Sequence, residues 1–278
     1  MSKYFPVNEV PTNGEAFCNL AGMTLPWIDY DSEERFRKNG GHPLYGPDSI
    51  TYTINSHGFR SPELSETADI KVLSIGCSFV FGLGLPREAL FHERFCATLR
   101  SRTGRTVVNW NLGSSGTGND YIARMLHLAV PLLRPDIVLI NFSQACRMEY
   151  ITVLGDWIKY GPANDPSWFD RIGREVHTHL NELRSPGQEE LRLFLNYRSV
   201  AELLKGRLWI HSFLEESALG VLEGHLERFQ LAGAFQKLDV ARDHAHPGPE
   251  SHAVVADRYL QVFEANGGFA RLSQLFRQ

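Results

Sequence analysis

The sequence predicts an α/β fold, a parallel sheet covered by helices on both faces. Three observations predict it. Four short apolar runs at 70–75, 106–112, 136–142 and 207–213 have the length and β-branched content of buried strands. Between and after them lie stretches with apolar residues at helical spacing, at about 87–102, 119–133 and 249–265. The two kinds of segment alternate, which is the pattern of strand–helix–strand units with right-handed crossovers.

Taken in order, residues 1–66 read as an irregular N-terminal arm rich in Pro, Gly and Asn. Within it, the charged run from Asp31 to Lys38 predicts a short helix, and Thr51 to Asn55 a small strand before the turn at Ser56-His57-Gly58. The regular pattern begins with the strand Ile70 to Ile75 and defines a domain over 67–278. The first long helix runs from about Arg87 to Arg102, with Leu90, Phe91, Phe95 and Leu99 on one face and Gly104 as its stop. After the strand at 106–112, Asn119 and Asp120 read as caps of a helix that buries Ile122, Met125, Leu126, Ala129 and Leu133. The stretch 148–206 breaks the rhythm. It carries Trp157, Trp168 and Phe169 among Gly, Pro and Asp, then a helical pattern over 188–204, and reads as an inserted cap over the strand edge. A short strand is expected at 236–240. The last clear helix, from about Pro249 to Ala265, buries Val254, Val255, Tyr259, Leu260 and Phe263 and stops at Gly267.

Composition narrows the function. The chain has 278 residues, 43% apolar and 22% charged, with a net charge of −4 and no Lys/Arg block. Nucleic acid and anionic membranes are therefore not the expected partners. No apolar stretch approaches the ~20 residues of a membrane span, and the first residues lack the apolar run of a signal peptide. Cys18, Cys77, Cys96 and Cys146 are scattered without a C-x-x-C pair, which fits free thiols and a cytoplasmic location.

The chemistry-bearing residues lie at the ends of this pattern. Ser78, in Gly76-Cys77-Ser78-Phe79-Val80-Phe81-Gly82, follows the first strand directly, so its hydroxyl falls at the carboxyl edge of the sheet, where open α/β sheets bind ligands. Asp243-His244-Ala245-His246-Pro247-Gly248, before the last helix, puts a carboxylate three residues ahead of an imidazole. Ser78, His246 and Asp243 are the parts needed for acyl transfer through a serine ester. His244 and His252 are rivals for the base. Asp243, His244, His246 and His252 also admit a metal reading, in which the glycine motifs would have no role. His211, at the end of the fourth strand, is a candidate to face the pocket.

Gly76-x-Ser78 is not the G-x-S-x-G elbow, because Val80 stands where the second glycine belongs. The segment instead resembles block I of the SGNH (GDSL-like) hydrolases, G-D-S-x-x-x-G, with Gly76, Ser78 and Gly82 matching and Cys77 in place of the aspartate. Asn111-Leu112-Gly113-Ser114-Ser115-Gly116 resembles block II, and Asp243-x-x-His246 resembles block V. Asn55-Ser56-His57-Gly58-Phe59-Arg60 resembles the N-S-x-G-F-R lead-in to block I. The resemblance covers roughly 50–150 and 205–265. It implies a three-layer, flavodoxin-like fold with five parallel strands and a serine esterase or deacylase. Ser78 would be the nucleophile, His246 the base and Asp243 its orienter, with the N–H groups of Ser78 and Gly113 as the oxyanion hole. The substrate would be a small-molecule or carbohydrate ester, with no cofactor or metal. An O-acyltransferase with the same triad and a non-catalytic carbohydrate-binding relative are the alternatives. Block III departs from the family. Ala145 and Cys146 fall at its Asn and Asp positions, which leaves Ser143 and Gln144 as candidate replacement donors and Arg147 as the nearest cation.

Overall fold

The computed structural model describes residues 18–151, 157–162, 171–227 and 230–276. Trp168, Phe169 and the side chain of Trp157 lie outside them. The arm contributes strand β1 (Thr24–Leu25), helix α1 (Glu33–Lys38) and strand β2 (Tyr52–Thr53), which pairs antiparallel with β1. Helix α1 starts where the charged run predicts it, because the Ser32 hydroxyl accepts from the Arg35 N–H and caps it.

The main sheet follows. Strand β3 (Ile70–Ile75) leads into the single-turn α2 (Ser78–Phe81), then α3 (Phe91–Thr103), β4 (Val107–Asn111), α4 (Asn119–Leu133) and β5 (Ile137–Phe142). A hairpin of β6 (Met148–Ile151) and β7 (Trp157–Tyr160), helices α5 (Arg171–Glu182) and α6 (Pro186–Leu203), and β8 (Leu208–Phe213) come next. Helix α7 (Ser217–Val221), β9 (Leu231–Ala234), α8 (Pro249–Ala265) and α9 (Gly268–Leu275) complete the chain. The five strands β4-β3-β5-β8-β9 are all parallel. Numbered by their place in this sheet, they have the order 2-1-3-4-5, the doubly wound flavodoxin-like order, whose chain reversal opens a crevice at the carboxyl ends of the first and third strands. Those strands are β3 and β5, so the topology alone puts Ser78 beside the crevice.

Alternation along the strands builds two cores. Leu73 and Ile75 of β3 face α4 and α6, in a cluster with Val138, Ile140, Leu126, Tyr197 and Val200. Ile70 and Val72 face the other way, against Phe95 and Leu99 of α3 and Val255 and Tyr259 of α8. Of the stretch 148–206, α6 is thus part of the helical layer, while the hairpin and α5 share a small cluster of Met148, Tyr160 and Leu180.

The fifth strand lies at 231–234 and not at 236–240. The later stretch is held by side chains instead of a sheet ladder. The Ser251 hydroxyl accepts from the N–H groups of Leu238 and Asp239, and the Asp239 carboxylate accepts from those of Glu250 and Ser251. That carboxylate caps α8. Residues 87–102 form two pieces, a 3₁₀ turn over Arg87–Ala89 and then α3, with Leu90 extended between them. Among the described residues, no helix is long and apolar enough to cross a membrane.

Candidate functional site

Two segments deliver the three side chains of the site. Ser78 is the first residue of α2, 4% exposed, and its close turn after β3 depends on Gly76, where a Cβ would lie 2.5 Å from Val80 and 2.7 Å from the Asn141 carbonyl. Asp243 and His246 come from the loop before α8. Nδ1–H of His246 donates to Oδ2 of Asp243, and the backbone N–H groups of Ala245 and His246 donate to its Oδ1 at 3.0 and 2.9 Å. Burial pushes the Asp243 carboxyl up. The hydrogen bond and charge of His246 and the two backbone donors outweigh burial, and the group sits below its ordinary range. An acceptor-only carboxylate on Nδ1 fixes the tautomer, so Nε2 is the acceptor for the Ser78 hydroxyl, at 2.9 Å. The rings of Tyr30 and Phe79 meet the His246 imidazole edge-on, at 6.1 and 5.8 Å between centroids.

The rivals go elsewhere. His244 has a positive φ of 56° and its Nε2 meets the Gly41 carbonyl at 2.8 Å. His252 is buried, accepts at Nδ1 from the Phe91 N–H, and is pushed down to about 3 by burial. Among the described residues, no group of three or more His, Cys, Asp or Glu side chains is placed to hold a metal ion. His211 is fully buried among Trp209, Tyr197, Phe142 and Phe213, which makes it a core residue.

One of the two expected oxyanion donors is engaged within the fold. The Gly113 N–H is already spent, donating to Oδ1 of Asn111 at 2.9 Å. Gly113 is required for packing: a Cβ there would lie 2.4 Å from the Phe81 nitrogen, so only glycine lets this loop lie against α2. Further along, the Ser114 N–H donates to the Gly76 carbonyl at 3.1 Å, and the Thr117 hydroxyl, 3.4 Å from that oxygen, donates its proton to the Ser114 carbonyl at 2.8 Å, so the loop 114–117 straddles the turn that leads to Ser78. Between them, Gly116 has a φ of +72° and its N–H makes no hydrogen bond among the described residues. The Ser78 N–H, at the start of its helical turn, makes none either.

The replacement donors for block III are also engaged. The Ser143 hydroxyl donates its one proton to the Thr117 carbonyl at 2.8 Å, and Nε2 of Gln144 donates to Glu215 at 2.5 Å. Arg147 is different, because its Nη1 is buried and has no hydrogen-bond partner among the described residues. Asn119, expected as a cap, lies inside α4 with Gly118 at the cap position. Its amide clamps the Ser143 backbone instead, accepting from its N–H at 2.8 Å and donating to its C=O at 3.0 Å, which ties α4 to the end of β5.

Several supporting residues escape a sequence reading. Arg60 is buried and donates to the carbonyls of Gly82 and Leu85 at 2.6 and 2.8 Å, closing the carboxyl end of the turn that starts with Ser78. Burial lowers its pKa to about 10, so it stays a cation at neutral pH. The Asn55 side chain accepts from the N–H groups of His57 and Phe59, which shapes the bend that delivers Arg60. Arg242, beside Asp243, is fully buried. It pairs with Asp31 at 2.6 Å, donates to the carbonyls of Pro26 and Pro47, and stacks on Trp27 at 3.7 Å. Tyr52 donates to Asp31 and accepts from the Gly84 N–H at 2.8 Å. The only prior signal for this network was the N-S-x-G-F-R motif; Asp31 and Arg242 are 211 residues apart.

The molecule is thus a doubly wound α/β protein with a Ser–His–Asp array at its topological switch point. Its comparisons with known proteins are distant. No family model matches the chain, and no curated protein sequence matches it. Among solved structures it is similar to a two-domain esterase (CEX) active on acetylated mannans, at 13% identity and a TM-score of 0.45 over 70% of this chain and 49% of that one. It is also similar to TesA, at 14% identity and a TM-score of 0.44 over 69% and 97%. A third is the acetyl xylan esterase Est2A from the rumen bacterium Butyrivibrio proteoclasticus, at 12% identity and a TM-score of 0.41 over 73% and 66%. The chain spans about half the length of the first of these. At such scores the likeness itself carries no argument about activity, which rests on the geometry of the site.

Proposed function

We propose that the chain is a serine ester hydrolase of the SGNH type. The observation that carries the reading is the array itself: Ser78 Oγ lies 2.9 Å from Nε2 of His246, whose Nδ1–H is held by the buried Asp243. That is the arrangement in which a hydroxyl becomes a nucleophile as its proton leaves to a neutral imidazole. Ser78 attacks the ester carbonyl and His246 takes the proton. The tetrahedral intermediate collapses as His246 returns the proton to the leaving alcohol, and water then releases the acid from the acyl-enzyme by the same relay. Asp243 stabilises the imidazolium.

Two N–H groups are available to the developing oxyanion, those of Ser78 and Gly116. Gly116 replaces Gly113 in this role because its N–H is uncommitted and the Ser114 N–H fastens its loop to the Gly76 carbonyl. Preorganised donors of this kind hold charge that exists only in the transition state. Labelling with a fluorophosphonate probe tests the reading. Wild-type protein should be modified at Ser78, and Ser78→Ala should not react. A wild-type protein that stays unlabelled and fails to hydrolyse 4-nitrophenyl acetate is a binding relative and not an enzyme.

A further inference from the structure

Lys159 belongs to strand β7 of the hairpin, outside the motifs that carry the triad. Its Nζ donates to the Ser114 hydroxyl at 2.9 Å and to the Ser115 carbonyl at 3.1 Å. Both partners lie in the loop that straddles the turn before Ser78. The chain has no cis peptide bond among its described residues, so the C=O of Ser115 and the N–H of Gly116 point in opposite directions across one planar unit. A group that holds the carbonyl on one side sets the direction of the N–H on the other. Gly116 needs this help. Its φ of +72° is left-handed, and a Cβ there would meet nothing within 4 Å, so Gly116 has no side-chain anchor of its own.

We propose that Lys159 is a positioning residue for oxyanion stabilisation: its ammonium grips the Ser115 carbonyl and so aims and polarises the Gly116 N–H at the reacting centre. The proposal rests on the serine hydrolase reading above. It accounts for the lost block III asparagine, because the hairpin that follows β5 supplies a cation that strengthens an existing backbone donor in place of a new side-chain donor. A charge-assisted hydrogen bond to a carbonyl is roughly twice as strong as a neutral one, and it raises the donor strength of the N–H on the same peptide. Lys159 touches no substrate atom in this scheme.

The test compares wild type with Lys159→Met, which keeps length and removes the charge, and Lys159→Arg, which keeps the charge. Three quantities are measured: kcat and KM for 4-nitrophenyl acetate, affinity for an aryl trifluoromethyl ketone, and the melting temperature. With the ketone, Ser78 Oγ bonds to the carbonyl carbon, the hydroxyl proton passes to His246, and the former carbonyl oxygen becomes the bound oxyanion. Lys159→Met should lower kcat by roughly 10- to 100-fold, somewhat less than outright loss of a donor. KM should stay within about twofold and ketone affinity should fall in parallel with kcat, as differential binding of the transition state requires. Lys159→Arg should recover most of both. If Lys159→Met matches wild type in kcat and ketone affinity, the proposal is overturned while the triad stands. If the melting temperature and KM change while ketone affinity does not, Lys159 only anchors the hairpin. If Lys159→Met does not fold, Lys159→Gln gives the same comparison. Wild type that ignores both fluorophosphonate and ketone sinks the hydrolase reading itself.

Discussion

The two sides of the Ser78 crevice are held in opposite ways. On the side of the base, Arg242, Asp31, Tyr52 and Arg60 form a buried polar lattice that joins the arm to both the Asp243 loop and the Ser78 turn. On the other side, the Ser114–Thr117 loop and the Ser143–Arg147 segment are held from outside by the Asn119 amide on the Ser143 backbone, the Ser143 hydroxyl on the Thr117 carbonyl and Lys159 on Ser114 and Ser115, with Ser115, Gly116, Gln144 and Arg147 partly exposed. The contrast teaches where each kind of tolerance lies. Proton transfer needs three side chains aligned to within a fraction of an ångström, and buried charged groups with satisfied partners supply that rigidity. In the proposed reaction the oxyanion is met by peptide N–H groups, which a loop can present once a neighbouring side chain holds the peptide in place.

The largest effect should come from the array shared by both sides. Ser78→Ala and His246→Ala should each lower turnover by at least about 10³-fold, and Asp243→Asn by less, because members of a triad act as one unit. Circular dichroism should be unchanged. Turnover by Ser78→Ala close to wild type would remove the hydrolase reading altogether.

Breaking the rigid side comes next. Asp31→Ala leaves the buried Arg242 guanidinium without its counter-charge, and loss of one partner of a buried pair costs about 3–5 kcal/mol. Urea denaturation should show that loss, and turnover should fall with it because Arg242 adjoins Asp243. If stability drops while turnover measured in low urea does not, the arm supports the fold without aligning the base.

Acid offers a third comparison. His92, His252 and His211 are held neutral by burial, with values lowered to about 4, 3 and 3. In the unfolded chain each binds a proton near ~6.5. Between that value and the folded ones, the unfolded state holds more protons, so stability rises with pH. It should be complete above about pH 6.5 and fall as the pH drops toward 4, read as a shift in denaturant midpoint. His92→Gln should flatten the slope; an unchanged slope would mean His92 is accessible to protons in the fold.

The smallest effects belong to the loosely held side. Gln144→Ala should leave turnover within about twofold, since its amide is bonded to Glu215. Ser143→Ala should cost about 1 kcal/mol of stability, a typical hydrogen bond, with turnover nearly unchanged. A large drop in kcat at constant KM for either variant would restore that residue as a transition-state donor and weaken the case for Gly116.

Much of the site was legible because its parts are local in sequence. Strand runs, helix faces and the α/β class follow from periodicity. Ser78 after a strand glycine and Asp243 three residues before His246 are spacings that one turn of chain can realise, so the motif register already separated His246 from His244. The small residues of block II were legible as a group, but not which glycine has a free N–H. That depends on the Asn111 side chain folding back onto Gly113 and on how closely α2 packs there.

What only the tertiary structure decided is everything that joins distant segments. The strand order that brings Ser78 and His246 together, the Arg242–Asp31 pair across 211 positions and the Lys159 contact with the Ser115 carbonyl leave no periodic trace. The physical reason is that a buried polar group needs a partner, but the chemistry of the group does not say which part of the chain will provide it. Hydrophobic period and turn chemistry are properties of neighbouring residues and can be read along the sequence. Hydrogen-bond satisfaction in the interior is a property of the packed whole, and it was here that the arm became a brace, Asn119 a clamp, and Gly116 rather than Gly113 the free donor.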